Sequence, residues 1–172
     1  MTRPLIGEPL ALDLVNSVWV DQGHAFDQFD EPDGLESWLD DHDMAGIAAD
    51  TAAVRDALVQ ARSALRAALE DGDDAPLNDV LAHGFHRPGL RDGAPMVATV
   101  TDDPAWLPAW TAAADLVRLL AERAERVRHC ANPACVLWFY DVSKNGSRRW
   151  CSMEVCGNRA KSARFQRSHP RQ

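Results

Sequence analysis

The sequence predicts an α+β chain that is mostly α, in two parts. An N-terminal helical domain, 1–125, carries one small β-hairpin, and a C-terminal treble-clef-like unit follows at 126–172. Three observations carry this. Apolar residues recur at helical spacing through most of the first two-thirds. One pair of β-compatible segments flanks a turn signal, Arg91-Asp92-Gly93. All four cysteines fall in the final third, as two pairs of identical internal spacing.

Leu10 to Val20 opens the ordered part. Leu10, Leu14 and Val18, with Ala11 and Val15, keep helical intervals, so a helix is expected across the stretch. Asp13 and Asn16 interrupt it on one side; they either flank a core face or face a pocket. Gln22 to Glu31 has no period and is expected to be a loop. Asp33-Gly-Leu-Glu36 has the offsets of a capping box before a short helix. Asp50 can cap a longer helix through Glu70, on which Val54, Leu58, Ala61, Leu65 and Leu69 keep helical spacing. Leu77 to His83 gives another short helix. Phe85 to Leu90 and Pro95 to Thr101 read as the hairpin. Pro104 and Pro108 introduce a last helix through Glu125, which runs without a Gly/Ser linker into Val127-Arg-His-Cys130. His83 and His86 lack further ligands nearby and read as turn or surface residues.

The net charge of −8 hides an asymmetry. Residues 1–121 hold 7 Lys/Arg against 22 Asp/Glu, a net of −15, whereas 122–172 hold 11 against 4, a net of +7. Such a split directs the tail toward a polyanion, nucleic acid or the chain's own acidic body. No run approaches transmembrane length, so no membrane partner is expected.

The cysteines read Cys130-Ala-Asn-Pro-Ala-Cys135, a fifteen-residue spacer, then Cys151-Ser-Met-Glu-Val-Cys156. Zinc takes four thiolates in a tetrahedron, and paired cysteines at such spacing read as a zinc site. Cys130, Cys135, Cys151 and Cys156 are therefore the expected ligands of Zn2+. A closed shell of four leaves no place for substrate water, so the metal is structural. Two disulfides or an iron–sulfur cluster are the alternatives; disulfides need an oxidising compartment, and no long apolar signal core precedes the domain, so a cytoplasmic protein is expected. In the spacer, Val136 to Tyr140 is strand-like, Asn145-Gly146 signals a turn, and Arg148 to Cys151 returns to the metal as the second strand. A helix follows Cys156. Lys161, Arg164 and Arg167 repeat every three residues on it, while Lys144, Arg148, Arg149 and Arg159 cluster near the metal. Phosphates reward such clusters through counterion release, although cations there also offset the negative charge of a four-thiolate zinc.

The run from Phe139 to Lys161, with Cys156-Gly157-Asn158-Arg159 at its heart, resembles the CGNR zinc finger, a family named for that tetrapeptide. The resemblance implies a bacterial, DNA-binding transcription regulator whose finger follows a ligand-sensing, stress-response-regulator-like domain. Leu10 to Val20 resembles the start of that domain, in which an Asp and an Asn stand at the positions of Asp13 and Asn16; the resemblance makes these the candidate ligand-binding residues. Three functions are then in competition. The first is a regulator that binds DNA and an unknown small molecule, where a homodimer would help specificity. The second is a finger with a structural or protein-binding role. The third is an enzyme with an N-terminal pocket, for which the sequence offers no Gly-x-Ser-x-Gly, phosphate loop or acid pair; a non-enzyme is expected.

Overall fold

A computed structural model describes residues 3–47 and 49–162. Arg164 and Arg167 of the expected basic stripe lie outside the described residues. The chain is mixed α+β and mostly helical, as its apolar periodicity requires. The centre is a pair of long helices, α3 (Thr51–Arg66) and α5 (Leu107–Arg123), on which α1 (Leu10–Val15) and α4 (Ala75–Leu81) pack. Helix α2 is Gly34–Asp41. Leu12, Leu14, Leu58, Leu65 and Leu116 are fully buried where these helices meet.

Local signals explain most of the element ends. Asp50 accepts from the Ala53 N–H at 3.2 Å and starts α3. That helix widens into a π turn, Ala67–Asp71, and stops at Gly72, whose φ of 69° suits a residue without Cβ. The hairpin at Arg91-Asp92-Gly93 forms as β3 (Gly84–Arg91) and β4 (Ala94–Thr101), with Asp92 and Gly93 both at positive φ in the turn.

Three expectations are corrected. The first helix ends at Val15 instead of running to Val20. Val18–Asp21 is strand β1, paired with β2 (His24–Asp27) through a Gln22-Gly23 turn with positive φ at both residues. Among the described residues the helical domain therefore has two hairpins, and the segment expected as a loop holds strand β2 and a 3-10 turn, Gln28–Asp30. The run Val18-Trp19-Val20 is branched and aromatic, which favours a pleated surface, and Trp19 stacks on Phe26 across the pair. Second, Asp33 does not cap α2. Its φ of 55° turns the backbone left-handed, and its side chain makes no cap bond. Third, the strand Trp138–Tyr140 exists but pairs with Val127–His129, not with the returning Arg148–Cys151 segment. These strands are β5 (Val127–His129) and β6 (Trp138–Tyr140).

The C-terminal unit is packed into the helical body. Trp138 belongs to the helical core, while Trp19 and Phe26 of the first hairpin pack against Leu137, Phe139 and the cysteines. Asn16, fully buried at the end of α1, binds β6 as one strand binds another. Its amide N–H donates to the Trp138 carbonyl at 2.8 Å, and its Oδ1 accepts the Trp138 N–H at 2.9 Å. Glu8 accepts the next ladder N–H, from Tyr140, at 2.7 Å. Two side chains from the chain's first sixteen residues thus satisfy β6 on its open edge.

Replacing Asn16 by Ala strands both backbone groups of Trp138 in the core. We expect Asn16→Ala to lower unfolding free energy by about 2 kcal/mol, read from urea titration of the metal-loaded chain. Unchanged stability would show that the amide clamp contributes nothing.

Candidate metal centre

Two backbone knuckles bring the sulfurs together. In the first, the Cys130 N–H donates to Leu137 O and the Cys135 N–H to Asn132 O, each at 2.9 Å. Asn132 Oδ1 also accepts from the Ala134 N–H at 3.2 Å, which fixes the turn around Pro133. In the second, Ser152 caps the π turn Met153–Gly157, and the Gly157 N–H closes on Ser152 O at 3.0 Å. The chain is helical onward through 158–162. A bond from the Ala131 N–H to Arg149 O at 2.9 Å ties the knuckles to each other.

All four cysteines are buried and none is in a disulfide. Their Sγ atoms lie within 4.8 Å of one another. The Cys135–Cys151 and Cys151–Cys156 separations are 3.7 and 3.6 Å. A zinc–thiolate tetrahedron with bonds of about 2.3 Å has edges of roughly 3.8 Å, so the donor set fits zinc. Peptide and amide donors support the sulfurs: Cys151 N–H on Cys130 Sγ at 3.5 Å, and Asn132 Nδ2 on Cys156 Sγ at 3.3 Å. Without a cation the group conflicts with itself. Hydrogen bonds from Cys135 and Cys151 hold the Cys130 thiol far down, the bond to Cys130 pushes Cys135 up to about 12, and Cys130 and Cys135 together push Cys151 up as well. A divalent ion removes the conflict by stabilising four thiolates at once. Cys130, Cys135, Cys151 and Cys156 hold a structural zinc, and its closed shell carries no substrate position.

The spacer is organised by a residue the sequence did not single out. Asp141 is buried directly after β6. Its carboxylate accepts from the Ser143 N–H at 2.9 Å, the Arg148 N–H at 3.0 Å and the Arg128 guanidinium at 3.2 Å. Burial pushes its pKa up, but the bonds from Ser143, Arg148 and Arg128 outweigh that and hold it at about 2. An aspartate between a strand and an Asn-Gly turn is a legible loop-former, though its burial is not.

The expected DNA-contacting residues fall into two groups. Arg148 is turned inward: its guanidinium lies 4.3 Å over Phe139, donates to Cys151 O at 2.6 Å and pairs with Glu8 at 3.2 Å. Burial raises the pKa of Glu8 despite its bonds to Tyr140 and Arg148. Arg159 pairs with Asp21 of β1 at 3.0 Å from an exposed position. Lys144, Arg149 and Lys161 are exposed, with no ion pair among the described residues; Arg149 rests 5.3 Å over Trp150. Asp13, like Asn16, is buried. It accepts from Trp38 Nε1 and His42 Nε2, both at 2.9 Å, and from Arg3. Burial would raise its pKa, but the bonds from His42 and Arg3 hold it below the ordinary range. His83 stacks on Trp106 and His86 meets the edge of Trp110, in separate settings.

Residues 8–123 match the family described as ABATE, putative stress-induced transcription regulator, across more than half of the chain. The chain belongs to the ABATE family. Residues 126–169 match the CGNR zinc finger, so an ABATE domain is followed by a zinc-binding unit in the order the sequence motifs imply. A search of curated proteins returned no match. Across the ABATE stretch and the rest of the described residues, no helix is long and apolar enough to cross a membrane. Glu8 and Asp21, which reach from the ABATE stretch to Arg148 and Arg159, were not legible as site residues because their partners lie some 140 positions away in sequence.

Asp141→Asn should destabilise the metal-loaded protein by about 2 kcal/mol. Because the folded-state pKa is depressed, the aspartate's contribution is fully present above its ordinary 3.8 and is lost only as pH falls through about 2. The gap between variant and parent, measured by urea titration, should therefore stay constant from pH 6 to 8; a gap that closes in this range would contradict the buried-carboxylate assignment.

Proposed function

We propose that this protein is a cytoplasmic transcription regulator that binds DNA through its zinc-held C-terminal unit and responds to a small ligand through its N-terminal domain. The observation that carries the reading is the distribution of cations. The finger region 122–172 is net +7 on a chain that is net −8, and Lys144, Arg149 and Lys161 stand exposed on a scaffold that zinc rigidifies. Both family descriptions, a transcription regulator and a zinc finger, support it.

Geometry divides the labour among the basic residues. Lys144, Arg149 and Lys161 would meet phosphate, joined by Arg164 and Arg167. Arg159 would join on releasing Asp21, and Arg148 keeps the finger in shape. The Glu8–Arg148 and Asp21–Arg159 pairs give the acidic body a direct hold on the basic unit. Asp13 and Asn16 would transmit a ligand's effect by fixing α1, since their polar atoms are already engaged by protein. A homodimer would double the DNA contact.

A second reading has one observation in its favour. Trp138 sits in the helical core, and Arg148 and Arg159 point to the body, as a purely structural finger would have them.

Salt dependence separates the two. Fluorescence anisotropy with mixed-sequence duplex DNA should show affinity falling linearly in log–log against salt, and Lys144→Ala with Arg149→Ala should make that slope shallower by about 2. Binding that is absent, or indifferent to salt and to these substitutions, would favour the structural finger.

A further inference from the structure

We propose that the cleft between α5 and the β3–β4 hairpin binds an uncharged, planar aromatic small molecule. That this molecule is the one the N-terminal domain responds to rests on the reading above.

The cleft has a volume of about 600 Å3, within the roughly 300–1,000 Å3 typical of small-molecule sites. Leu81, Trp110, Ala114 and Val117 form its apolar walls, with His86 and Arg118 at the rim. Its shape is built by the chain. Gly84 roots the hairpin against α5: a Cβ there would stand 3.0 Å from Trp110 Cδ1 and 2.7 Å from Val100 O. His86, two residues along β3, sets its ring edge-on to Trp110 at 4.8 Å and 89°. Beyond it the residues of β3 are exposed.

The chemistry of the walls selects the ligand. The Trp110 indole N–H already donates to Leu81 O at 2.9 Å, and Thr111 Oγ to Leu107 O at 2.6 Å. These walls therefore offer rings and methyl groups, which reward flat aromatic surface. The rim does not favour an anion. Arg118 is held by Asp115 at 2.7 Å and Glu122 at 2.9 Å, so two carboxylates accompany one guanidinium. Val117, 45 % exposed, leaves apolar surface that a ligand would cover.

The cleft is also connected to the finger. Asp115 Oδ2 accepts the Ala11 N–H at the start of α1 at 3.0 Å. The other end of that helix is Asn16, which grips β6. A molecule that disturbs the Asp115–Arg118 pair acts on the same helix that seats the zinc unit.

The test uses the zinc-loaded full chain and N-phenyl-1-naphthylamine, a neutral fluorescent aromatic. One probe should bind per chain, saturably. Ala114→Phe, which fills the cleft, and Val117→Glu, which puts a charge at its lip, should each weaken binding at least tenfold while leaving the circular dichroism unchanged. The sulfonated analogue anilinonaphthalene sulfonate should bind at least tenfold more weakly than the neutral probe. No saturable binding, or binding indifferent to both substitutions, would overturn the proposal. So would a dimer that Val117→Glu dissociates, because a second copy would then cover the cleft. Saturable, substitution-sensitive binding that leaves DNA affinity unchanged supports the site and counts against the sensing role.

Discussion

Four thiolates do not share a sphere a few ångströms across unless a cation holds them there. The rest of this molecule depends on that constraint. The zinc cluster draws two knuckles together, and the knuckles fix where β6 runs. With β6 in place, Asn16 and Glu8 have a strand edge to bind, and Trp19 and Phe26 of the first hairpin have a surface to cover. The metal is thus structural for more than its own loops. It completes a core that runs from Leu5, packed against the cysteine cluster, to Cys156 within the turn Met153–Gly157.

The electrostatics follow the same joint. An acidic body and a basic tail would attract each other wherever they met, and the fold concentrates that attraction at two pairs, Glu8–Arg148 and Asp21–Arg159. Only one of these is shielded. The Glu8 side chain is only 8% exposed and shares Arg148 with a carbonyl and an aromatic face, whereas the Arg159 side chain is half exposed and its pair is worth little to stability. Breaking the exposed pair is cheap, so Arg159 is the cation that a phosphate could recruit at little cost to the fold.

Much of this was readable in the sequence, for identifiable reasons. The metal ligands were legible because zinc demands one residue type at constrained spacing. The long helices were legible because α3 and α5 bury continuous stripes. The β3–β4 hairpin announced itself through Asp92-Gly93, whose backbone conformation few other pairs adopt. Failures came where spacing was ambiguous or the partner was distant. Val18 sits at helical intervals from Leu14 and Leu10, yet it starts a strand, because Trp19 finds Phe26 and the finger to pack on. Trp138–Tyr140 was recognisable as a strand, but its partner was not the nearer segment; β5 lies before the first cysteine, and pairing with it lets the metal loop close. Asn16 interrupted an apolar stretch and was open to a core-flanking or a pocket-facing place; the backbone of residue 138 is its partner, which no local pattern discloses.

The central claim is that zinc, through β6, holds the start of the chain in place. Hydrogen exchange measured by mass spectrometry on zinc-loaded and chelator-stripped protein tests it most directly. The expected result is that stripping zinc deprotects both the cysteine loops and the segment from Leu10 to Asp27, although no zinc ligand lies within it. Deprotection confined to residues 126–162, with Leu10 to Asp27 as slow to exchange as before, would contradict it.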